Sequence, residues 1–351
     1  MHFDLSDEQA LLRDTLDAFL ADKIPQDEIV KRAETGRLDR ELWNGLSGLG
    51  LMGILADAGE GLNLGLLTLA VAADKLASRG AAAPVVENAV AAWALGEHRA
   101  EWASRIMSGE TIAALAIGED GGAWSPAQWR LNGGNLISGE KKNVLFGAEA
   151  DILVVGLEGG DLGVVEAKAA GVTINRCAAV DLTRPMANVR FEDVAVERLT
   201  STPGKADRLY DALLITSAID AYGAASRAAE MAVEYAKVRE QFGRPIGAFQ
   251  ALKHQLADMT IDIAPTRSLC WYAAHLWDLD SPDASRMASV AKAHVTDVAV
   301  KTARMAVEAH GGVGYTWTFP LHIFLKRAMA DRVMYGLPST HRARAAQLAS
   351  W

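Results

Sequence analysis

The chain has 351 residues, half of them hydrophobic and 7% aromatic, which suits one large domain or two to three packed units around an aliphatic core. Its 44 acidic and 35 basic residues give a formal net charge of −9, and this acidic balance argues against binding to the phosphate backbone of nucleic acid. No apolar run approaches the roughly 20 residues that cross a bilayer, so the sequence predicts no membrane segment.

The start of the chain and its cysteines indicate the compartment. Residues 1–4 lack the basic start and the apolar core of a signal peptide. The two cysteines, Cys177 and Cys270, lie far apart and without CxxC or CxxH spacing, so neither a disulfide framework nor a metal site is predicted. Both features favour a reducing cytoplasm.

Helical patterns dominate residues 1–110. Ser6 followed by Gln9 is the signature of a capping box, and apolar residues then recur on one helical face until Pro25 ends the helix. Further helices are predicted from about residue 39, over residues 64–78 and after residue 84.

Residues 111–200 have the short apolar runs that are typical of strands. Strands are predicted over 152–157, 162–167, 172–174 and 189–191. The segment Glu158-Gly159-Gly160-Asp161 between the first two is a hairpin signal. This zone is expected to form a compact β domain, and the Ser-Thr-Pro-Gly segment 201–204 is expected to be a linker.

Residues 201–351 again carry helical patterns. Long helices are predicted over 209–239, 252–277, 285–310 and 321–334, and their short connections imply an antiparallel bundle. The predicted fold is therefore mainly α with a β domain: an N-terminal helical domain (1–110), a middle β domain (111–200) and a C-terminal helical bundle (201–351).

The most informative motif runs from Arg239 to Gln250 and reads REQFGRPIGAFQ. It places two guanidinium groups and aromatic rings at a junction between two helices. Because the planar guanidinium binds phosphate through two hydrogen bonds, the motif is suited to a phosphate-bearing ligand. The alternative is an ordinary solvated helix end.

A second motif, HGGVGY over residues 310–315, follows a predicted helix. Three glycines within four positions allow the backbone to come close to a ligand. The motif lacks the strand before it and the helix after it that a dinucleotide-binding GxGxxG requires, so it does not predict a Rossmann site.

Together with the segments 139–151 and 181–185, these motifs resemble the acyl-CoA dehydrogenase family, and in particular subunits of bacterial heteromeric enzymes of sterol side-chain degradation. The resemblance covers nearly the whole chain. It implies the family's fold, with a four-helix bundle at the C-terminus. It further implies FAD-dependent dehydrogenation of an acyl-CoA, an electron-transfer flavoprotein or a similar acceptor, and a homo-oligomer or a heteromer with a second acyl-CoA dehydrogenase subunit.

The resemblance also implies which residues bind the cofactor. Arg239 would contact the pyrophosphate of FAD bound to a neighbouring subunit, and Phe242 and Gln250 would line the same cofactor. The backbone of Gly312, with Gly311 beside it, would pass along the adenosine end.

The catalytic base departs from the family pattern. Gly336 stands where many members carry the glutamate that removes the α-proton, and Leu213 stands where some relatives carry it instead. Asp220 lies seven residues after Leu213, which returns it to nearly the same helical stripe. It also resembles an acid that a group of bacterial members, including heteromeric enzymes of sterol side-chain degradation, carries at this place, and Asp220 is therefore the candidate base. The alternative is an aspartate of the helix surface, solvated or paired with Arg227.

The segments that hold a subunit's own flavin also depart from the pattern. Residues 116–124 replace the family's Thr-Glu-Pro…Gly-Ser-Asp segment, and Val144 and Leu145 replace a tryptophan and a hydroxyl residue. The residues that would reach a neighbour's FAD are kept, so we expect a heteromer in which each chain supplies different parts of one site. Two alternatives remain open: a non-catalytic partner subunit that completes FAD sites on another chain, and a flavin oxidase or monooxygenase on the same fold.

Overall fold

A computed structural model describes residues 4–56, 61–132, 134–199 and 203–349. The helices before the first strand are α1 (Asp7–Lys23), α2 (Ile29–Glu34), α3 (Arg40–Gly48), α4 (Gly65–Ser78), α5 (Val85–Leu95) and α6 (Ala100–Met107). The predicted capping box is confirmed, because the Gln9 N–H donates to the Ser6 hydroxyl over 3.2 Å and the Ser6 N–H donates to the Gln9 side chain over 3.0 Å.

The middle region contains two small sheets. The strands are β1 (Ala113–Ala116), β2 (Leu136–Leu145), β3 (Ile152–Leu157), β4 (Asp161–Glu166), β5 (Val172–Cys177), β6 (Met186–Ala195) and β7 (Glu197–Arg198). One sheet has the order β1-β3-β4-β7 and the other has the order β2-β6-β5. The predicted hairpin is confirmed: β3 and β4 pair antiparallel, and Gly159 and Gly160 take positive φ in the turn between them.

Long helices form the rest of the molecule. They are α7 (Lys205–Val238), α8 (Gln250–Asp278), α9 (Ala284–His310), α10 (Leu321–Val333) and α11 (Pro338–Leu348), and the short hairpin of β8 (Glu240–Gln241) and β9 (Arg244–Pro245) lies between α7 and α8. Of the predicted linker 201–204, residues 201 and 202 lie outside the described residues, and Gly204 caps the start of α7.

One apolar core joins the helical regions. Trp43 of α3, Phe146 after β2, Leu213 of α7 and Phe324 of α10 belong to the same buried cluster, so the middle region packs against the helices without a break in the core. In the described ranges, no helix combines the length and the apolar character needed to cross a bilayer.

Gly223 sets the distance between α7 and α4. A Cβ atom built on it would lie 2.4 Å from the carbonyl oxygen of Asp74, a backbone atom that cannot rotate away. We expect Gly223→Ala to force the two helices apart and to lower the free energy of unfolding by about 1–3 kcal/mol, measured by urea denaturation.

Gly48→Ala is the matched control for this substitution. Gly48 ends α3, and nothing lies within 4 Å of a Cβ built there. The control should leave stability unchanged or raise it by up to about 1 kcal/mol, because alanine restricts the unfolded chain. Equal effects of the two substitutions would contradict the packing role of Gly223.

Candidate functional site

Most residues of the segments 239–250 and 311–315 face solvent, and we call these two segments the exposed flank. Arg239, Phe242 and Gln250 are exposed, as are Gly311 and Gly312. No ion pair to Arg239 occurs within the part of the chain that the structure describes. Its guanidinium is therefore available to an external anion.

The hairpin at the tip of the flank holds an aromatic ring in an unfavourable backbone conformation. Phe242 and Gly243 connect β8 to β9 with φ of +53° and +75°, the two positive values of a type I′ turn. A bulky residue in this conformation costs about 1–3 kcal/mol. The Phe242 side chain is nevertheless 91% exposed, with only the edge of the Phe249 ring at 6.0 Å among its ring contacts. Packing among the described residues therefore does not explain why this turn carries a phenylalanine.

An aromatic stack connects the two halves of the flank. Tyr235, in the last turn of α7, stacks on His310, the last residue of α9, with ring centroids 4.4 Å apart and planes inclined by 21°. Phe319 contacts the same imidazole at 5.0 Å. The stack holds the ends of α7 and α9 together, so the two motifs that the sequence singled out are brought side by side.

Gly311 and Gly312, in the turn after α9, differ in whether the fold of the chain requires a glycine. Gly311 has a φ of +63°, so the backbone itself favours glycine there. Gly312 has no positive φ, and nothing of the described chain lies within 4 Å of a Cβ built on it. The chain's own packing therefore does not require glycine at position 312.

Asp220 is buried and bound to two arginines. Arg327 donates from Nε and Nη2 to its two carboxylate oxygens, each over 2.7 Å, and Arg184 Nη1 lies 3.4 Å from Oδ1. The alternative partner, Arg227, instead pairs with Glu230 and donates to Gln26. The interpretation of Asp220 as a surface residue paired with Arg227 is therefore wrong.

Asp220 belongs to a larger group, which we call the buried charged cluster: Asp181, Arg184, Asp220, Lys292, Arg327 and Asp331. Arg184 donates to Asp181 over 2.6 Å and to Asp331 over 2.7 Å. Lys292 donates to the carbonyl oxygen of Asp331. Every member is at most 8% exposed, and three acids face three bases. The cluster ties α7, α9 and α10 to the segment before β6.

These contacts decide how readily Asp220 can accept a proton. Burial by itself would raise the pKa of Asp220, but the positive charges of Arg327 and Arg184 outweigh burial and hold this pKa below its ordinary range. A general base works best with a pKa near the operating pH. The role of Asp220 as the base stays a prediction, and this geometry does not support it.

A small cavity lies beside the cluster, where the middle region and the bundle meet under the N-terminal helices α4 and α5. Its charged and aromatic lining consists of Glu87, Arg184, Asp220, Arg327 and Tyr335. Its volume is about 30 Å³, whereas one water needs about 10–15 Å³ on this measure. Burial raises the pKa of Glu87, which favours its neutral form there.

The position of the family's glutamate is filled by another side chain. Gly336 has a φ of +111°, and a Cβ built on it would lie 2.9 Å from Nε2 of His341. His341 is fully buried, with Nε2 at 3.0 Å from the carbonyl oxygen of Tyr335. A larger residue at position 336 would strain the backbone and meet the imidazole.

Among the described residues, no group of three or more His, Cys, Asp and Glu side chains is arranged to hold a metal ion.

His341 should make stability depend on pH. Burial, assisted by the charge of Lys292, lowers the pKa of His341 to about 4. Its stabilising effect is complete above the unfolded-state pKa of about 6.5 and is lost as pH falls toward 4, at up to about 1.4 kcal/mol per pH unit. Acids with a raised pKa, such as Glu87, instead favour the folded state as the pH falls. The comparison with His341→Gln isolates the histidine: between pH 7 and 5 the variant should lose about 1–2 kcal/mol less than the parent chain in urea denaturation.

Two models of one protein family match the chain. The model described as acyl-CoA dehydrogenase, N-terminal domain, matches residues 6–110, and the one described as acyl-CoA dehydrogenase, C-terminal domain, matches residues 215–348. Acyl-CoA dehydrogenase FadE34 of Mycobacterium tuberculosis is 32% identical over 304 residues, which are 84% of this chain and 40% of that relative. The matched part thus spans less than half the length of FadE34.

Two solved structures superpose on almost the entire chain. The ChsE4-ChsE5 complex from Mycobacterium tuberculosis contains a chain with a TM-score of 0.90 and 25% identity, covering 100% of this chain and 99% of that one. A structure described as the electron transferring flavoprotein of Acidaminococcus fermentans gives a TM-score of 0.88 and 26% identity, covering 99% of both chains. The predicted fold class, mainly helical with a smaller β region, is confirmed.

Proposed function

Because the chain belongs to the acyl-CoA dehydrogenase family, we propose that it acts as one subunit of a heteromeric, FAD-dependent enzyme that dehydrogenates an acyl-CoA thioester. The observation that carries this proposal is the exposed flank, whose conformation the chain's own packing does not explain. The similarity to a chain of the ChsE4-ChsE5 complex, which contains two different subunits, supports a heteromer.

The flank fits an FAD that is bound mainly by another chain. The exposed guanidinium of Arg239 is suited to the pyrophosphate, because no acid within the described residues neutralises it. Phe242 would cover the cofactor from the hairpin tip, and Gln250 would add a hydrogen bond from the start of α8. Gly311 and Gly312 would let the backbone lie against the adenosine end.

A bound FAD would supply the acceptor for the hydride that leaves the β carbon of the thioester. The same reaction needs a carboxylate that removes the α-proton. This chain offers none at the usual position, since Gly336 lies against His341, and Asp220 is neutralised by Arg327 and Arg184. We assign the base to the second subunit, so that this chain binds and orients the cofactor.

Other features of the proposal rest on the family alone. An electron-transfer flavoprotein is the proposed acceptor, in keeping with the similarity to the structure from Acidaminococcus fermentans. No contact among the described residues favours a flavin oxidase or monooxygenase. The cytoplasmic location and the absence of a nucleic-acid partner stay predictions from the sequence.

The visible spectrum of the chain, purified alone and together with a second acyl-CoA dehydrogenase chain that carries the glutamate, tests the proposal. We expect a colourless chain alone, and a flavin-containing complex that is bleached by acyl-CoA without oxygen. Full dehydrogenase activity from this chain alone would contradict a heteromer, and so would the absence of flavin from every complex that it forms.

Gly312→Val tests the flank with little effect on the fold. Open space surrounds a Cβ at this residue, so the isolated chain should melt at an unchanged temperature. The branched side chain should block the close approach of the adenosine, and the FAD affinity of the complex should fall at least about 10-fold, equal to about 1.4 kcal/mol. Gly134→Val, at an exposed loop position of the middle region, is the matched control and should leave FAD affinity unchanged.

A further inference from the structure

We propose that the buried charged cluster closes this chain's own cavity between the middle region and the bundle, so that the cavity takes neither a flavin ring nor an acyl group. This inference rests on the proposed function and deepens it. A heteromer would then hold one flavin for each pair of subunits, and this chain would contribute the exposed flank.

The first support is the volume of the cavity. Sites for cofactors and drug-sized ligands are usually about 300–1,000 Å³, but the cavity beside Asp220 measures about 30 Å³. Two or three waters fit this volume. The tricyclic ring of a flavin could enter only if the surrounding elements moved apart.

The second support is how the two regions pack where a flavin ring would lie. Trp124 of the middle region is 7% exposed and meets the Tyr335 ring edge-on at 5.3 Å. Leu145, at the end of β2, lines the small cavity. These contacts fill the junction with side chains from both regions.

The third support is that both arginines of the cluster have hydrogen-bond partners without a ligand. Beyond its bonds to Asp220, Arg327 donates to the Ala81 carbonyl over 3.0 Å and to the Thr183 hydroxyl over 2.8 Å. Arg184 donates to Asp181, to Asp331 and to the Arg327 carbonyl. Each arginine is already paired with carboxylates of the cluster, so the arginines are not poised for an additional anion. Opening the cavity would expose buried ions or separate them from their partners, which is unfavourable.

The test is a titration of the full chain, purified alone, with FAD and then with butyryl-CoA. Binding in the junction would quench the fluorescence of Trp124, and the variant Trp124→Phe assigns any quenching to that residue. We expect no saturable quenching in the parent chain. Flavin released from the purified heteromer should amount to half an equivalent per chain.

Saturable quenching that disappears in Trp124→Phe would overturn the inference, as would one flavin per chain in the heteromer. The latter outcome would leave the proposed function intact, because the flank could still complete a neighbour's site. A heteromer without flavin would overturn the proposed function, whereas an unquenched titration of the isolated chain would still support a closed cavity.

Discussion

Asp220→Ala should lower the free energy of unfolding by about 3–5 kcal/mol, because it leaves Arg327 and Arg184 buried without the carboxylate that they share. Both guanidiniums are at most 8% exposed and cannot turn to solvent. Urea denaturation monitored by fluorescence measures the change. A catalytic base in an open site would behave differently, since its removal would abolish activity and leave stability nearly unchanged.

Two variants make this experiment specific to burial. Asp262→Ala removes an acid that pairs with Lys301 at the surface over 2.7 Å. This loss should cost no more than about 1 kcal/mol. The double variant Asp220→Leu, Arg327→Met should recover part of the stability that Asp220→Ala loses, because it removes both charges of the closest pair. A double variant that is less stable than the single one would contradict this account.

Arg239→Ala should weaken FAD binding by the heteromer about 10- to 100-fold, because a hydrogen bond to a charged group contributes about 1.5–3 kcal/mol. The side chain is exposed, so the melting temperature of the isolated chain should not change. The retention of flavin during dialysis against increasing salt provides the measurement.

Two further variants separate the effect of the positive charge at position 239 from that of the planar guanidinium. Arg239→Lys keeps the charge but loses the planar pair of donors, so its affinity should lie between those of the parent and Arg239→Ala. Lys237→Ala removes a neighbouring exposed charge at the end of α7 and should have little effect. Equal losses for Lys237→Ala and Arg239→Ala would indicate a general effect of charge instead of pyrophosphate binding.

Elements whose signals are local were predictable from the sequence. The start of α1 depends on Ser6 and Gln9, three residues apart, and the β3–β4 hairpin depends on the glycines between its strands. Strand β2 was missed because Glu140, Lys141, Lys142 and Asn143 hide its apolar positions. Lys141 is fully buried there, and its ammonium lies 2.5 Å from Glu119, which is 22 positions earlier in the chain.

The surroundings of Asp220 could not be predicted either, because its partners are also distant in the sequence. Helical spacing suggested Arg227 as a local partner, but the carboxylate binds Arg327, which is 107 positions away. Asp181 and Arg184 were visible as part of a family segment, but nothing in their spacing shows that they meet α7 and α10. The cofactor residues of the flank stay predictions, because the chain itself offers no contact that shows what they bind.

The balance of the buried charged cluster also constrains how this protein can evolve. A folded domain is stable by only about 5–15 kcal/mol, so the loss of one cluster member consumes a large share of that margin. Return to an open cavity would require several members to change together, since each single step leaves a buried ion unpaired. The three acids and three bases of the cluster therefore make single substitutions among them unfavourable. If the proposed division between two subunits holds, single substitutions could alter the flank of this chain but could not open the cavity.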